Sequence, residues 1–217
     1  MLRPLFAIAR REIARGWRGG GIWPPLVFFL MVAILFPFGV GPDSRLLARV
    51  GGGVAWVSAL LAALLPIDRL VEPDRADGVL DQFAVRGVAE EVVVLGKILG
   101  HWVGFAPALM LACFPTAALL QLDGGSTARL IAGLAIGTPA LAGLGVAAGA
   151  LTAGLRGASA IAGLTVLPLA VPVLIFGAAA VGDAPGQGAL KLLAASSVAL
   201  MVLSVMAAAA ALRVSRQ

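Results

Sequence analysis

Acidic charge is scarce in this chain, with 11 Asp and Glu residues in 217, and there are only two lysines, one histidine and one cysteine. Each scarcity excludes a class of function. The lone Cys113 cannot build an internal disulfide framework or a multi-cysteine metal site, and is read as a packing residue. The lone His101 excludes a two-histidine metal site within one chain, and neither H-E-x-x-H nor a G-x-S-x-G nucleophile elbow occurs. Lys97 follows Gly96 but precedes Ile98, and Glu91 stands where a first glycine would be needed. A phosphate-cradling G-x-x-x-x-G-K-[ST] loop is therefore missing, and the chain is not expected to hydrolyse ATP. No residue is assigned as catalytic or metal-ligating. The pI of about 11.0 does not point to nucleic acid, because the basic residues form no run interleaved with aromatics.

Apolar residues are abundant. With 60% hydrophobic residues, 12% charged and a mean hydropathy of +1.02, the chain lacks the charge to cover a soluble surface, so lipid must be its main solvent. Six apolar stretches occur, at 22–40, 46–67, 92–120, 130–151, 158–181 and 192–212. About 20 helical residues cross a ~30 Å hydrocarbon core, and five of the stretches suit that length. The third is longer, and Pro107 and Pro115 are expected to kink it or end it early. Pro37, Pro139, Pro168 and Pro172 are likewise expected to bend or break their spans. Alternating-polarity segments are lacking, which argues against a β-barrel. The reading is an all-α, polytopic membrane protein with about six transmembrane helices.

Orientation follows from the asymmetry of Lys and Arg. With the N-terminus inside, 12 of the 16 basic residues fall on the cytoplasmic side, Arg156 and Arg216 among them, and four outside. Both termini are therefore placed in the cytoplasm. Before the first stretch, Leu2, Leu5, Phe6, Ala9, Ile13 and Trp17 recur at helical spacing, with arginines mostly on the other face. That pattern describes a helix lying in the interface, its arginines near anionic headgroups. It is read as retained, because the following span ends in "PFGVGP" without a small-residue cleavage site. In the fourth stretch Gly133, Gly137, Gly145 and Gly149 share a four-residue spacing, read as a packing ridge within the bundle.

The cores of the six stretches lack Asp, Glu, Lys and Arg. A carrier driven by protons or sodium usually keeps such groups in its spans despite their cost. The driving energy for any transport is thus expected to come from a partner. Seven of the 11 acids (Asp68, Glu72, Asp74, Asp77, Asp81, Glu90 and Glu91) fall within residues 68–91. From Asp74 onward one helix is expected, with Ala76, Val79, Leu80 and Phe83 on one face and Asp74, Asp77 and Asp81 on another. Asp77 and Asp81 would repel at i,i+4. Two readings follow: a solvated loop, or a docking helix that offers acids and an apolar edge to a basic cleft on a soluble subunit. Six spans, an interfacial helix and an acidic cytoplasmic segment suit an ATP-binding-cassette exporter permease of the ABC-2 type. The chain reads as one membrane domain, 1–217, with the interfacial helix in 1–21 and the coupling segment in 68–91.

The run "LFPFGVGPDSRLLARVGGGVAWVSALLAALLPIDRLVEPDRADGVLDQF" strongly resembles the CcmB family, the heme exporter protein B permeases of cytochrome c maturation. So do "GKILGHW" at 96–102, "LIAGL" at 130–134, "GTPALAGLG" at 137–145, "LPLAVPVLIFGAAA" at 167–180 and the C-terminal "AAALRVS". The most specific part is the D-x-x-D-G-x-L-[DE]-Q core formed by Asp74, Asp77, Gly78, Leu80, Asp81 and Gln82. With Phe83, these residues are the expected ATPase-subunit interface. The resemblance implies a bacterial inner-membrane permease, two copies per complex, paired with a CcmA-like ATPase that supplies ATP hydrolysis. It also implies CcmC-like and CcmD-like membrane subunits and a CcmE-like periplasmic heme chaperone. Heme is then a handled or transported ligand, and no covalently bound cofactor is expected. His101 and Trp102 are where a heme contact could be sought, although an interfacial anchor is the more ordinary role for such a pair. The alternatives are a permease for drugs or polysaccharide precursors, and a scaffold holding the ATPase without a transport path.

Overall fold

The computed structural model describes residues 2–155, 158–182 and 187–215; Arg156 and Arg216 of the orientation count lie outside the described residues. Among the described residues all regular structure is helical, in ten elements. Helix α1 (Leu2–Arg18) leads through a glycine-rich turn into α2 (Trp23–Val40). Two prolines open α2, where the first turn has no intrahelical use for their missing N–H groups. Its buried residues are Pro25, Phe29 and Ala33. They recur every fourth position, so α2 touches the bundle along one line and leaves Leu35 and Phe38 exposed.

Helix α3 (Ser44–Leu64) starts at Asp43, whose carboxylate accepts from the backbone N–H of Arg45 at 2.9 Å and of Leu46 at 3.1 Å. Three short helices follow: α4 (Ile67–Leu70), α5 (Glu72–Ala76) and α6 (Val79–Val85). Helix α7 (Glu90–Leu119) has 30 residues, about 45 Å at 1.5 Å per residue, so it must extend beyond a ~30 Å hydrocarbon core. Neither Pro107 nor Pro115 ends it. That corrects the expected early stop: one lost hydrogen bond per proline is tolerated inside a helix that packing already holds. Pro37, Pro139, Pro168 and Pro172 also lie inside continuous helices, so none of them breaks its span.

Helix α8 (Gly124–Thr152) is capped by Asp123 through the Ser126 N–H at 2.7 Å and is the buried centre, packed on α3, α4, α7, α9 and α10. Helices α9 (Ala158–Val181) and α10 (Gln187–Val214) complete the bundle. Five described helices (α2, α3, α7, α8 and α10) are long and apolar enough to cross a membrane; α9 adds the shorter apolar stretch Val166–Val181. The glycine ridge of α8 is used inside the chain. A Cβ at Gly137 would stand 2.6 Å from the Trp56 ring, and one at Gly149 2.9 Å from the Ile67 carbonyl. Those close approaches let α3 and α4 lie against α8.

Candidate functional site: a charge knot under the acidic segment

Gly78 lies between α5 and α6 with φ +67°, a left-handed conformation that L side chains rarely adopt. The single helix expected from Asp74 onward is therefore two short helices with a turn between them. The stripe of Asp74, Asp77 and Asp81 does not form, since Asp77 caps α5 and Asp81 belongs to α6. The three acids have different surroundings. Asp77 and Asp81 are exposed, as is Gln82, whereas Asp74 is wholly buried.

Asp74 is buried because cations meet it there. Its Oδ1 accepts from Arg11 Nη2 at 2.5 Å and Arg15 Nη2 at 2.6 Å, both from α1. Its Oδ2 accepts from Arg11 Nη1 at 3.3 Å and from Lys97 of α7. The Lys97 ammonium also donates to the Leu70 carbonyl at 2.8 Å and to Glu12 Oε1 at 3.4 Å, which uses all three of its protons. Burial raises the Asp74 pKa, but the Lys97 charge and the hydrogen bonds from Arg11, Lys97 and Arg15 outweigh it. The carboxyl is held well below the usual carboxylate range. Removing one member of such a buried set leaves the others uncompensated and costs about 3–5 kcal/mol.

The segment "GKILG" at 96–100 makes this burial possible. A Cβ at Gly96 would stand 2.8 Å from Ile8 Cγ2, and one at Gly100 2.5 Å from Glu12 Cβ and 2.9 Å from the Ala9 carbonyl. Glycines on both sides of Lys97 thus let α1 lie directly on α7. Arg11 and Arg15 point inward to Asp74 rather than to lipid headgroups, which corrects the purely interfacial reading of the α1 arginines. An unpaired buried Asp74 would be far costlier than two arginines taken from the surface. Arg3, Arg10 and Arg18 remain exposed, as do Leu2, Phe6 and Trp17 on the apolar side.

A second tie holds the other end of α5. Glu72 accepts from Arg75 Nη2 at 2.7 Å and from the Gly154 N–H at 2.7 Å, joining α5 to the chain after α8. The Arg75 hydrogen bond, then that of Gly154, lowers the Glu72 pKa. The expected apolar docking edge is split: Leu80 is 4% exposed and Phe83 packs against the core, while Ala76 is exposed, as is Val85 at 89%. At the far end of α10, Arg213 pairs with Glu90 at 3.5 Å and with Glu91. The N-terminal helix, the acidic segment and the end of α10 therefore share one face of the bundle.

His101 and Trp102 lie one turn along α7 from Lys97. The His101 ring stacks on Phe105 with centroids 4.7 Å apart, and its Nε2 is buried, 3.9 Å from where a Gly145 Cβ would stand. Trp102 donates from Nε1 to Thr138 Oγ1 at 2.9 Å. Trp102 is thus held to α8, whereas His101 also lines a cleft beside α1 and α4. Cys113 is buried. Sequence reasoning noted Lys97 but missed its partners. The available signal was an isolated lysine between two glycines, with Arg11, Glu12 and Arg15 on one side of an amphipathic helix elsewhere in the chain.

These features define a multi-pass helical membrane protein whose only extensive charged cluster among the described residues ties its amphipathic helix to a short two-helix segment outside the spans. A family model described as "CcmB protein" matches residues 3–215, and the chain belongs to the CcmB family. It is similar to heme exporter protein B of Paracoccus denitrificans, 45% identical over 91% of this chain and 92% of that protein. The Rhodobacter capsulatus protein of the same name is 43% identical over 96% and 98% of the two chains. That of Escherichia coli K12 is 40% identical over 89% and 90%.

Proposed function

We propose that this chain is the permease subunit of an ATP-driven complex that handles heme for c-type cytochrome biogenesis. Membership of the CcmB family, and relatives bearing the name heme exporter protein B over nearly their whole length, support that reading. The energy enters through a separate CcmA-like ATPase, since no phosphate loop is present in this sequence. CcmC-like and CcmD-like subunits and a CcmE-like chaperone complete the system, with two copies of the permease in the bacterial inner membrane and both termini cytoplasmic.

One observation carries the mechanical part. The two-helix segment 72–85 is tied to α1 and α7 through Asp74 and to the end of α8 through Glu72, and it still exposes Asp77, Asp81 and Gln82. A partner that grips the exposed acids would move α5, and α5 cannot move without pulling α1 and α7. The docking surface is thus narrower than the full motif: Asp77, Asp81, Gln82 and the exposed Val85 meet the ATPase, while Asp74, Leu80 and Phe83 hold the segment to the bundle. Gly78 supplies the turn between the two roles.

The test is Asp77→Lys and Asp81→Lys, each expressed in place of the native chain. Losing a close interfacial charge pair typically costs about 2–5 kcal/mol, or roughly 30-fold or more in affinity. Each variant should insert normally, retain far less ATPase on co-purification and lose c-type cytochromes while b-type cytochromes persist. Asp43→Lys, on the opposite face, is the charge-matched control. Full ATPase retention and full cytochrome c levels in the double variant would sink the docking proposal.

A further inference from the structure

A cleft of about 210 Å³ opens where α1 turns into α2, walled on its far side by α4 and α7. It is distinct from the exposed acids of the proposed docking surface. Most of its wall is apolar or glycine, including Ile22, Leu70 and Phe105, but Arg15, Arg69 and His101, with its Nε2 buried, also line it. Arg15 spends only part of its donor set on the knot. Its Nη2 is bound to Asp74, yet its Nη1 is buried without a hydrogen bond, the Glu12 carboxylate standing 3.7 Å away. Arg69 is exposed, and its guanidinium makes no hydrogen bond among the described residues. Glu12 is the one carboxylate in the wall, and Lys97, Arg11 and Arg15 already surround it.

A buried guanidinium nitrogen that has an ionic neighbour but no hydrogen bond is uncommon and still calls for an acceptor. Two guanidiniums facing a small apolar cleft suit one singly charged oxyanion, and Arg is the side chain best fitted to phosphate. The location selects the rest of the ligand. Trp17 of α1 and Trp23 of α2 are exposed apolar side chains at the same elbow, so lipid surrounds the cleft mouth. Gly104 forms part of the wall, and a Cβ there would meet nothing within 4 Å, so the space in front of it is open. We propose that this cleft binds the phosphate of one anionic phospholipid, with Arg15 and Arg69 as its cationic wall and the acyl chains lying outside along α2. A zwitterionic lipid is disfavoured, because its ammonium would meet guanidiniums and find the one carboxylate already engaged.

Native mass spectrometry of the full chain, released from nanodiscs of equal phosphatidylglycerol and phosphatidylcholine, tests the site. The native chain should retain one phosphatidylglycerol with a preference of about tenfold or more, the scale of one or two charge-assisted hydrogen bonds. Arg69→Gln should reduce that preference about fivefold or more. Gly104→Leu, which fills open space rather than packed space, should reduce retention to that of phosphatidylcholine. Arg10→Gln, an exposed arginine away from the cleft, should leave the ratio unchanged. Equal retention of both lipids by the native chain would overturn the proposal. So would unchanged ratios in both cleft variants, or a loss in Arg10→Gln as large as that in Arg69→Gln. Displacement of the bound lipid by millimolar inorganic phosphate would make this a free-anion site and overturn the lipid assignment.

Discussion

Two places in this molecule use glycine to bring a helix unusually close, and they differ in what they enclose. At the centre of the bundle, Gly133 and Gly137 of α8 and Gly177 of α9 surround the indole of Trp56, which is wholly buried. At the edge, Gly96 and Gly100 of α7 seat α1, and the side chain between them is a charged lysine. The apolar notch stabilises by contact area, so its worth falls gradually as shape is degraded. The charged knot is conditional: Asp74 and Lys97 are tolerated in a dry place only because the other ions are present. Three segments distant in sequence, α1, α5 and α7, must therefore be in place together. The notch holds the spans together, whereas the knot fixes where the segment outside the spans sits relative to them.

The largest effect expected from this contrast is at Lys97. Lys97→Met leaves Asp74 with fewer cations in a buried site and should cost about 3–5 kcal/mol. It should also release residues 72–85, measured as faster amide exchange across α5 and α6 in detergent or nanodiscs. Adding Asp74→Asn to Lys97→Met should recover part of the lost thermal stability, since the uncompensated carboxylate is removed while the partly exposed Arg11 and Arg15 keep access to solvent and Glu12. If the double variant is no more stable than the single one, the knot is not conditional in the way argued.

A smaller effect is expected at the notch. Gly137→Ala places a methyl group 2.6 Å from the Trp56 ring, and overpacking of this kind costs about 1–3 kcal/mol. Thermal unfolding should shift down while amide exchange at 72–85 stays as in the native chain. Release of the segment by Gly137→Ala would erase the distinction between the two sites.

The smallest expected response is to pH. The folded pKa of Asp74 is depressed below its ordinary value of 3.8. Its contribution is therefore complete above that value and is lost as pH falls through the folded pKa. The thermal-midpoint difference between the native chain and Asp74→Asn should stay flat from about pH 8 to pH 5 and shrink only below about pH 4. A difference that already shrinks between pH 8 and pH 6 would mean that another group governs the knot.

Much of this architecture is legible in the linear chain. Apolar length located the helices, and the periodicity of Leu2, Phe6, Ile13 and Trp17 marked α1 as amphipathic, because both depend only on local spacing. The acidic composition of 68–91 likewise marked the segment outside the spans. The fate of each acid in it was not legible. Asp74, Asp77 and Asp81 share residue type and helical spacing, yet cations of α1 and α7 bury only the first, and the turn at Gly78 puts the third on another helix. A glycine tolerated in a helix and a glycine that breaks one look alike until the neighbours are known.

Local composition, then, determined the solvent of this chain, the number of its long apolar segments and the position of its charged ones, because hydrophobic length and charge are properties of residues in order. The tertiary structure alone decided that Asp74 turns inward, that Arg11 and Arg15 reach in from the edge to meet it, and that Lys97 lies beneath it. A buried charge is stable only among partners brought from 23 and 59 to 63 residues away along the chain, and no local pattern carries that information.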